Sequence, residues 1–193
     1  ASCVGVGRRG GDAREHGVVG RPVGVNRSEW DCTLEPNGGG RYLSVRLGLR
    51  LTRGLANLSG ARIALARAGE PYVSVHDLWL RAGVPAAALR QLASADAFRS
   101  AFGLARRDAL WSIRILRDEP LPLFAAADAR DGLLRPELNE PDVALTPMTA
   151  GREVTEDYRT TTLSLRAHPL SFLRVELART GRQPCNDLGR WWN

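Results

Sequence analysis

Residues 51–93 read LTRGLANLSGARIALARAGEPYVSVHDLWLRAGVPAAALRQLA. Two four-residue turns stand out, Arg53-Gly54-Leu55-Ala56 and Ala82-Gly83-Val84-Pro85, each centred on a glycine and bordered by helix-forming sequence. The pattern turns helical from Leu51 to Leu58, and Ser59 offers a side-chain cap for a helix running through Ala68. Gly69-Glu70-Pro71 ends that helix. Ser74 caps the next, Val75 to Arg81, with Asp77 in the capping-box place usually held by Glu. After Gly83-Val84-Pro85 a third helix covers Ala86 to Ala93. Two helix–turn–helix units thus lie side by side, and the stretch reads as a tandem helix-hairpin-helix.

Such hairpins are suited to phosphate. A glycine lets the chain turn tightly, and the helix after it points unpaired backbone N–H groups at an acceptor. Gly54 with Leu55 and Gly83 with Val84 form the two candidate cradles, and Arg53, Arg81 and Arg90 add charge-assisted contacts beside them. Contacts of this kind hold the sugar–phosphate backbone, so DNA binding is expected to be sequence-independent and sensitive to salt. An ordinary helical hairpin also uses one glycine, so spacing alone leaves both a structural turn and a phosphate clamp open.

Outward from this stretch the chain is mainly α with a small β element. Leu43, Val45, Leu47 and Leu49 alternate with Ser44, Arg46, Gly48 and Arg50, which predicts a strand with a core face and a basic outer face. Upstream, Asp12 to Gly17 reads as a helix tail, Val18 to Val25 as extended, and Pro36 to Gly40 as a loop. Downstream, Leu104 to Arg117 reads as a longer helix. Pro120 and Pro122 then open an acidic stretch through Pro147, and helices follow at Ala150 to Tyr158 and Pro169 to Thr180.

The charge is unevenly placed. All 27 basic residues are Arg, and the net charge is +6. Residues 41–117 carry thirteen Arg against Glu70, Asp77, Asp96 and Asp108, a balance of +9. Residues 118–158 reverse this to −7. The middle segment therefore suits a polyanion and the acidic one does not, although two ordinary solvated surfaces would look the same. Arginine itself offers a planar donor fork that fits phosphate.

Several chemistries are excluded. Cys3, Cys32 and Cys185 are too scattered for a disulfide framework or a zinc site, as are His16, His76 and His168. No Lys is present, so no Lys-bearing phosphate loop exists, and no Asp-x-Asp pair is available to hold two metal ions. No catalytic centre, metal site or cofactor is expected. The Glu153, Glu156 and Asp157 cluster reads as a solvated helix start, and Trp79 and Trp111 as core residues rather than base-stacking ones. His168, before Pro169, reads as a contact at a helix N-terminus. No run is long enough to span a membrane, and a soluble, cytoplasmic protein is expected.

An ordered set of motifs then narrows the reading. Asp12-Ala13-Arg14-Glu15-His16-Gly17, Arg21-Pro22-Val23, and Val25-Asn26 with Ser28, Trp30-Asp31-Cys32 come first. Arg46-Leu47-Gly48-Leu49-Arg50, Arg53-Gly54-Leu55, Ala95 to Ser100, Arg106-Arg107 with Ala109-Leu110-Trp111, and Leu121-Pro122-Leu123-Phe124 follow. Glu156-Asp157-Tyr158-Arg159-Thr160-Thr161, Leu163-Ser164-Leu165 and His168-Pro169-Leu170 close the series. Together they resemble the C-family, DnaE-like error-prone DNA polymerases of bacteria. The resemblance implies a C-terminal fragment. In this division residues 1–11 are an unmatched edge and 12–50 the end of the fingers region with its strand. Residues 51–117 are the tandem helix-hairpin-helix, 118–149 an acidic linker, and 150–193 a helical segment leading to an oligonucleotide-binding OB domain. It also implies magnesium-dependent, DNA-templated nucleotide addition by the parent, often past damaged bases, with catalytic aspartates in a palm domain ahead of residue 1. The family usually has Gly where Thr162 stands. An alternative reading is a non-enzymatic module that docks a sliding clamp or a polymerase accessory protein through the acidic linker.

Overall fold

The computed structural model describes residues 16–37, 43–114, 116 and 145–182. The helix tail expected before Gly17 and most of the acidic linker lie outside them. The described part is mainly helical with one small sheet. Its strands β1 (Gly20–Arg21), β2 (Thr33–Glu35) and β3 (Ser44–Arg46) lie in the order β1-β3-β2. β3 pairs parallel with β1 (Gly20 opposite Val45) and antiparallel with β2 (Leu34 opposite Val45).

The face of β3 is the reverse of the sequence expectation. Ser44 and Arg46 are buried, whereas Leu43 is 51% exposed and Val45 half-buried. The reason is a paired guanidinium with every nitrogen hydrogen-bonded. Arg46 donates from Nε and Nη2 to the two Glu35 carboxylate oxygens, both at 2.9 Å, and from Nη1 to the Pro22 carbonyl at 3.1 Å. A buried charge is tolerated when it is paired in this bidentate way. Arg46 in turn holds the Glu35 carboxyl below the usual carboxylate range. The pair's contribution is therefore present above the ordinary Glu value and lost as pH falls toward the lower, folded one. Of the alternating leucines, Leu49 alone is fully buried, carried into the core by the 3-10 turn Leu49–Leu51 that ends the strand.

Helices follow in order: α1 (Asn57–Ala66), α2 (Val75–Ala82), α3 (Ala86–Ser94), α4 (Arg99–Phe102), α5 (Arg106–Arg114), α6 (Ala150–Thr161), the 3-10 turn Pro169–Leu173, and α7 (Arg174–Arg179). The core is built by Ile63, Tyr72, Leu78, Leu89, Leu92, Phe98 and Ile113, none more than 2% exposed. α2 starts as expected, with Ser74 Oγ accepting from the Asp77 N–H at 3.0 Å. Asp77 reaches back one residue further than a standard capping box, to the Val73 N–H at 3.1 Å. α1 differs, because it begins directly after the first hairpin with Ala56 as its N-cap. Ser59 sits in its first turn, buried, and caps nothing.

α6 packs against α3 and ends on Thr162, which adopts a left-handed φ of +63°. Its N–H donates to the Tyr158 carbonyl at 3.2 Å and closes the helix. A β-branched residue pays for that conformation, and glycine does not. Thr162→Gly is expected to raise stability by about 1 kcal/mol, seen as a higher urea midpoint with an unchanged slope.

Candidate nucleic-acid interface

The two glycine turns are built alike. Gly54 and Gly83 take φ of +81° and +57°, which only glycine adopts without strain. The next residue is a buried apolar anchor in each, Leu55 or Val84. An extended N-cap follows, Ala56 or Pro85, and a helix begins three residues past the glycine, at Asn57 or Ala86. Five, six and nine residues past each glycine, the chain is buried again, as Ser59, Gly60 and Ile63 in α1 and Ala88, Leu89 and Leu92 in α3. The sequence reading of a repeated hairpin holds at this level. The first copy is entered from the 3-10 turn Leu49–Leu51, where the second is entered from α2.

The capping pattern separates these two helices from their neighbour. α2 has its Ser74 cap and an acid, Asp77, in its first turn. The N-cap residues of α1 and α3, Ala56 and Pro85, give no side-chain cap, and neither helix has an acid in its first turn. Both helices start in the most basic part of the chain, with no acid of their own in the first turn.

The arginines divide differently from the sequence expectation. Arg53 and Arg90 are exposed, and among the described residues neither guanidinium has an acidic partner. The Arg53 backbone N–H donates to the Thr160 carbonyl at 2.8 Å, which ties the first hairpin to the end of α6. Arg81 is committed elsewhere. It donates to the carbonyls of Ala66 and Glu70, both at 2.8 Å, pairs with Asp77 at 3.1 Å, and lies 4.7 Å over the Tyr72 ring. It is a brace for the α1–α2 loop. Arg62, which the sequence reading passed over, takes its place at the hairpins. From α1 it donates through Nη1 to the carbonyl of Gly83 at 3.2 Å.

The acidic cluster on α6 is buried, not solvated. Glu153 and Asp157 are 7% and 9% exposed and close on Arg106 of α5, itself 3% exposed. Arg106 pairs with both carboxylates and donates from Nε to the Ser94 carbonyl at 2.9 Å. Arg99 reaches Glu153 at 3.2 Å, and Arg166 lies 3.4 Å from Glu153 and from Asp157. Glu156 stays outside the cluster and pairs with Arg159 at 2.9 Å. These carboxylates are occupied by arginine, and among the described residues no three His, Cys, Asp or Glu side chains are grouped to hold a metal ion. Trp79 packs partly buried against the core as expected. Trp111 does not: it is 37% exposed, with the Arg114 guanidinium 5.4 Å from its ring. His168 does cap the Pro169–Leu173 turn, with Nδ1 accepting from the Leu170 N–H at 3.2 Å.

Comparison with known proteins gives the same two levels. Residues 17–109 match the helix-hairpin-helix motif family, a span that contains both glycine turns. Error-prone DNA polymerase 2 of Rhizobium meliloti (strain 1021) is 57% identical over 168 residues, covering 87% of this chain. The chain is homologous to one segment of the error-prone DNA polymerases. Error-prone DNA polymerase 1 of Agrobacterium fabrum is 55% identical over 184 residues and 93% of the chain. The enzyme named error-prone DNA polymerase in Ruegeria pomeroyi is 48% identical over 164 residues. The chain spans 16% and 17% of the length of the first two polymerases. The polymerase match is longer than the helix-hairpin-helix motif alone, and no described helix is long and apolar enough to cross a membrane.

Proposed function

We propose that this segment holds duplex DNA by its sugar–phosphate backbone, without reading bases, as part of an error-prone DNA polymerase. The observation that carries the reading is the pair of positive-φ turns at Gly54 and Gly83, each leading into a helix with no acid in its first turn, with Arg53 and Arg62 at the turns and the exposed Arg90 on α3. At the start of α1 a phosphate oxygen supplies the acceptor that α2 takes from Ser74. Gly83 adds room for close approach, since a β-carbon there would meet nothing within 4 Å.

Contacts that stop at phosphates are indifferent to base identity and to base damage, which suits synthesis on lesion-bearing templates. In this reading Glu153 and Asp157 serve structure and not metal binding, since both carboxylates pair with Arg106. The test is competition between two duplexes of equal length and unrelated sequence for the full chain. They are expected to compete within about twofold of each other. A preference of tenfold or more for one sequence would overturn backbone-only recognition.

A further inference from the structure

The two hairpins exchange a brace. Arg62 stands eight residues after Gly54, and Gln91 eight residues after Gly83. Each reaches the glycine of the other hairpin. Arg62 Nη1 donates to the Gly83 carbonyl at 3.2 Å. The Gln91 side chain lies over Gly54, its Nε2 within 2.8 Å of the place a β-carbon would occupy. The repeated offset makes this a property of the paired motif: the helix leaving each hairpin sends the side chain of its sixth residue across to the opposite turn. A lone hairpin has no such contact.

We infer that Arg62 and Gln91 are positioning residues that fix the spacing of the two hairpins, so that they engage two phosphates of one duplex as a single rigid clamp. The inference rests on the backbone-binding reading above. Holding two sites at a set separation makes the second contact intramolecular, and affinity then depends on how well that separation matches the ligand. The two residues differ in one useful way. Gln91 is neutral, so its loss removes no ion pair. Arg62 spends one of five N–H donors on Gly83 and keeps a positive charge beside the turn.

The test uses the full chain and two readouts. The first needs no DNA: amide hydrogen exchange in Gln91→Leu and Arg62→Met. Gln91→Leu is expected to speed exchange at the first hairpin, and Arg62→Met at the second, each across the interface from the substitution. The second readout is anisotropy with a labelled duplex. Gln91→Leu is expected to weaken binding about fivefold with the salt slope unchanged, and to have no further effect once Gly54→Glu has disabled the first hairpin. Equal losses from Gln91→Leu in both backgrounds, or unchanged exchange in both variants, would overturn the brace while leaving DNA binding intact. A folded wild type that binds no duplex overturns the backbone-binding reading itself, and the clamp with it. Melting curves of both variants separate these outcomes from a simple loss of fold.

Discussion

Arg106→Met is expected to lower the stability of the chain by about 3–5 kcal/mol, the cost of breaking a buried ion cluster from one side. The substitution keeps an unbranched apolar stem and removes the guanidinium and its charge. It leaves the Glu153 and Asp157 carboxylates facing each other's charge in a nearly dry site, with only Arg99 and Arg166 at its edge. It also frees the Ser94 carbonyl at the end of α3. The effect should travel. α6 carries both carboxylates, and its Thr160 carbonyl accepts from the Arg53 N–H of the first hairpin. Duplex affinity is therefore expected to fall in a variant whose altered residue is 3% exposed and touches no ligand. Urea unfolding measures the first effect and anisotropy the second. Replacing Glu153 and Asp157 by Leu in the same chain should recover most of the stability, because a buried ion cluster and an apolar one of similar volume are close in energy. A loss below about 1 kcal/mol in the single variant would mean that the cluster does not hold α6 in place.

The double variant Gly54→Glu, Gly83→Glu is expected to lose duplex binding by more than about a hundredfold. Each substitution places a carboxylate at the helix end proposed to receive a phosphate, where the macrodipole now serves the protein's own anion. A charge-assisted hydrogen bond contributes about 1.5–3 kcal/mol, so two disabled hairpins account for about 3–6 kcal/mol, and 1.4 kcal/mol is tenfold in affinity. Both positions are exposed, but both also sit at positive φ, so some stability will be lost as well. The far-ultraviolet spectrum and melting curve of the variant settle whether it is folded at the temperature of the assay. Either single variant should fall between wild type and double variant. Wild-type affinity in a folded double variant would remove the hairpins from the interface.

Legibility of the fold followed the range of the interactions involved. The start of α2 was readable because Ser74 and Asp77 are three residues apart and act on each other's backbone region. The glycine turns were readable because positive φ selects glycine. The inward face of β3 was not, since period-two alternation puts leucine inside and Arg46 outside. What reverses it is Glu35, eleven residues away on a neighbouring strand. The α6 cluster lay beyond reach for the same reason at greater distance, as Arg106 meets Glu153 and Asp157 across 47 and 51 residues.

The candidate site divided in a similar way. Arg53, Gly54, Leu55, Gly83 and Val84 form the turns themselves, and Arg90 is an exposed residue of the helix that follows the second. Arg81 is equally local in sequence, but its donors are drawn off by the α1–α2 loop, which periodicity does not describe. Arg62 carried a usable signal, the offset of eight residues that it shares with Gln91. Only the fold shows that the offset leads across to the other hairpin.

The most direct test of the account is the salt dependence of duplex binding by the full chain, followed by anisotropy with a short labelled duplex. Non-specific binding of this kind has a dissociation constant of about 10⁻⁶ to 10⁻⁴ M, and each phosphate neutralised adds about −0.9 to the log–log slope against salt. Binding is expected at low salt with a slope of about −3, from Arg53, Arg62 and Arg90 together. A folded chain that leaves the anisotropy unchanged at low salt, or that binds with no dependence on salt, would contradict it.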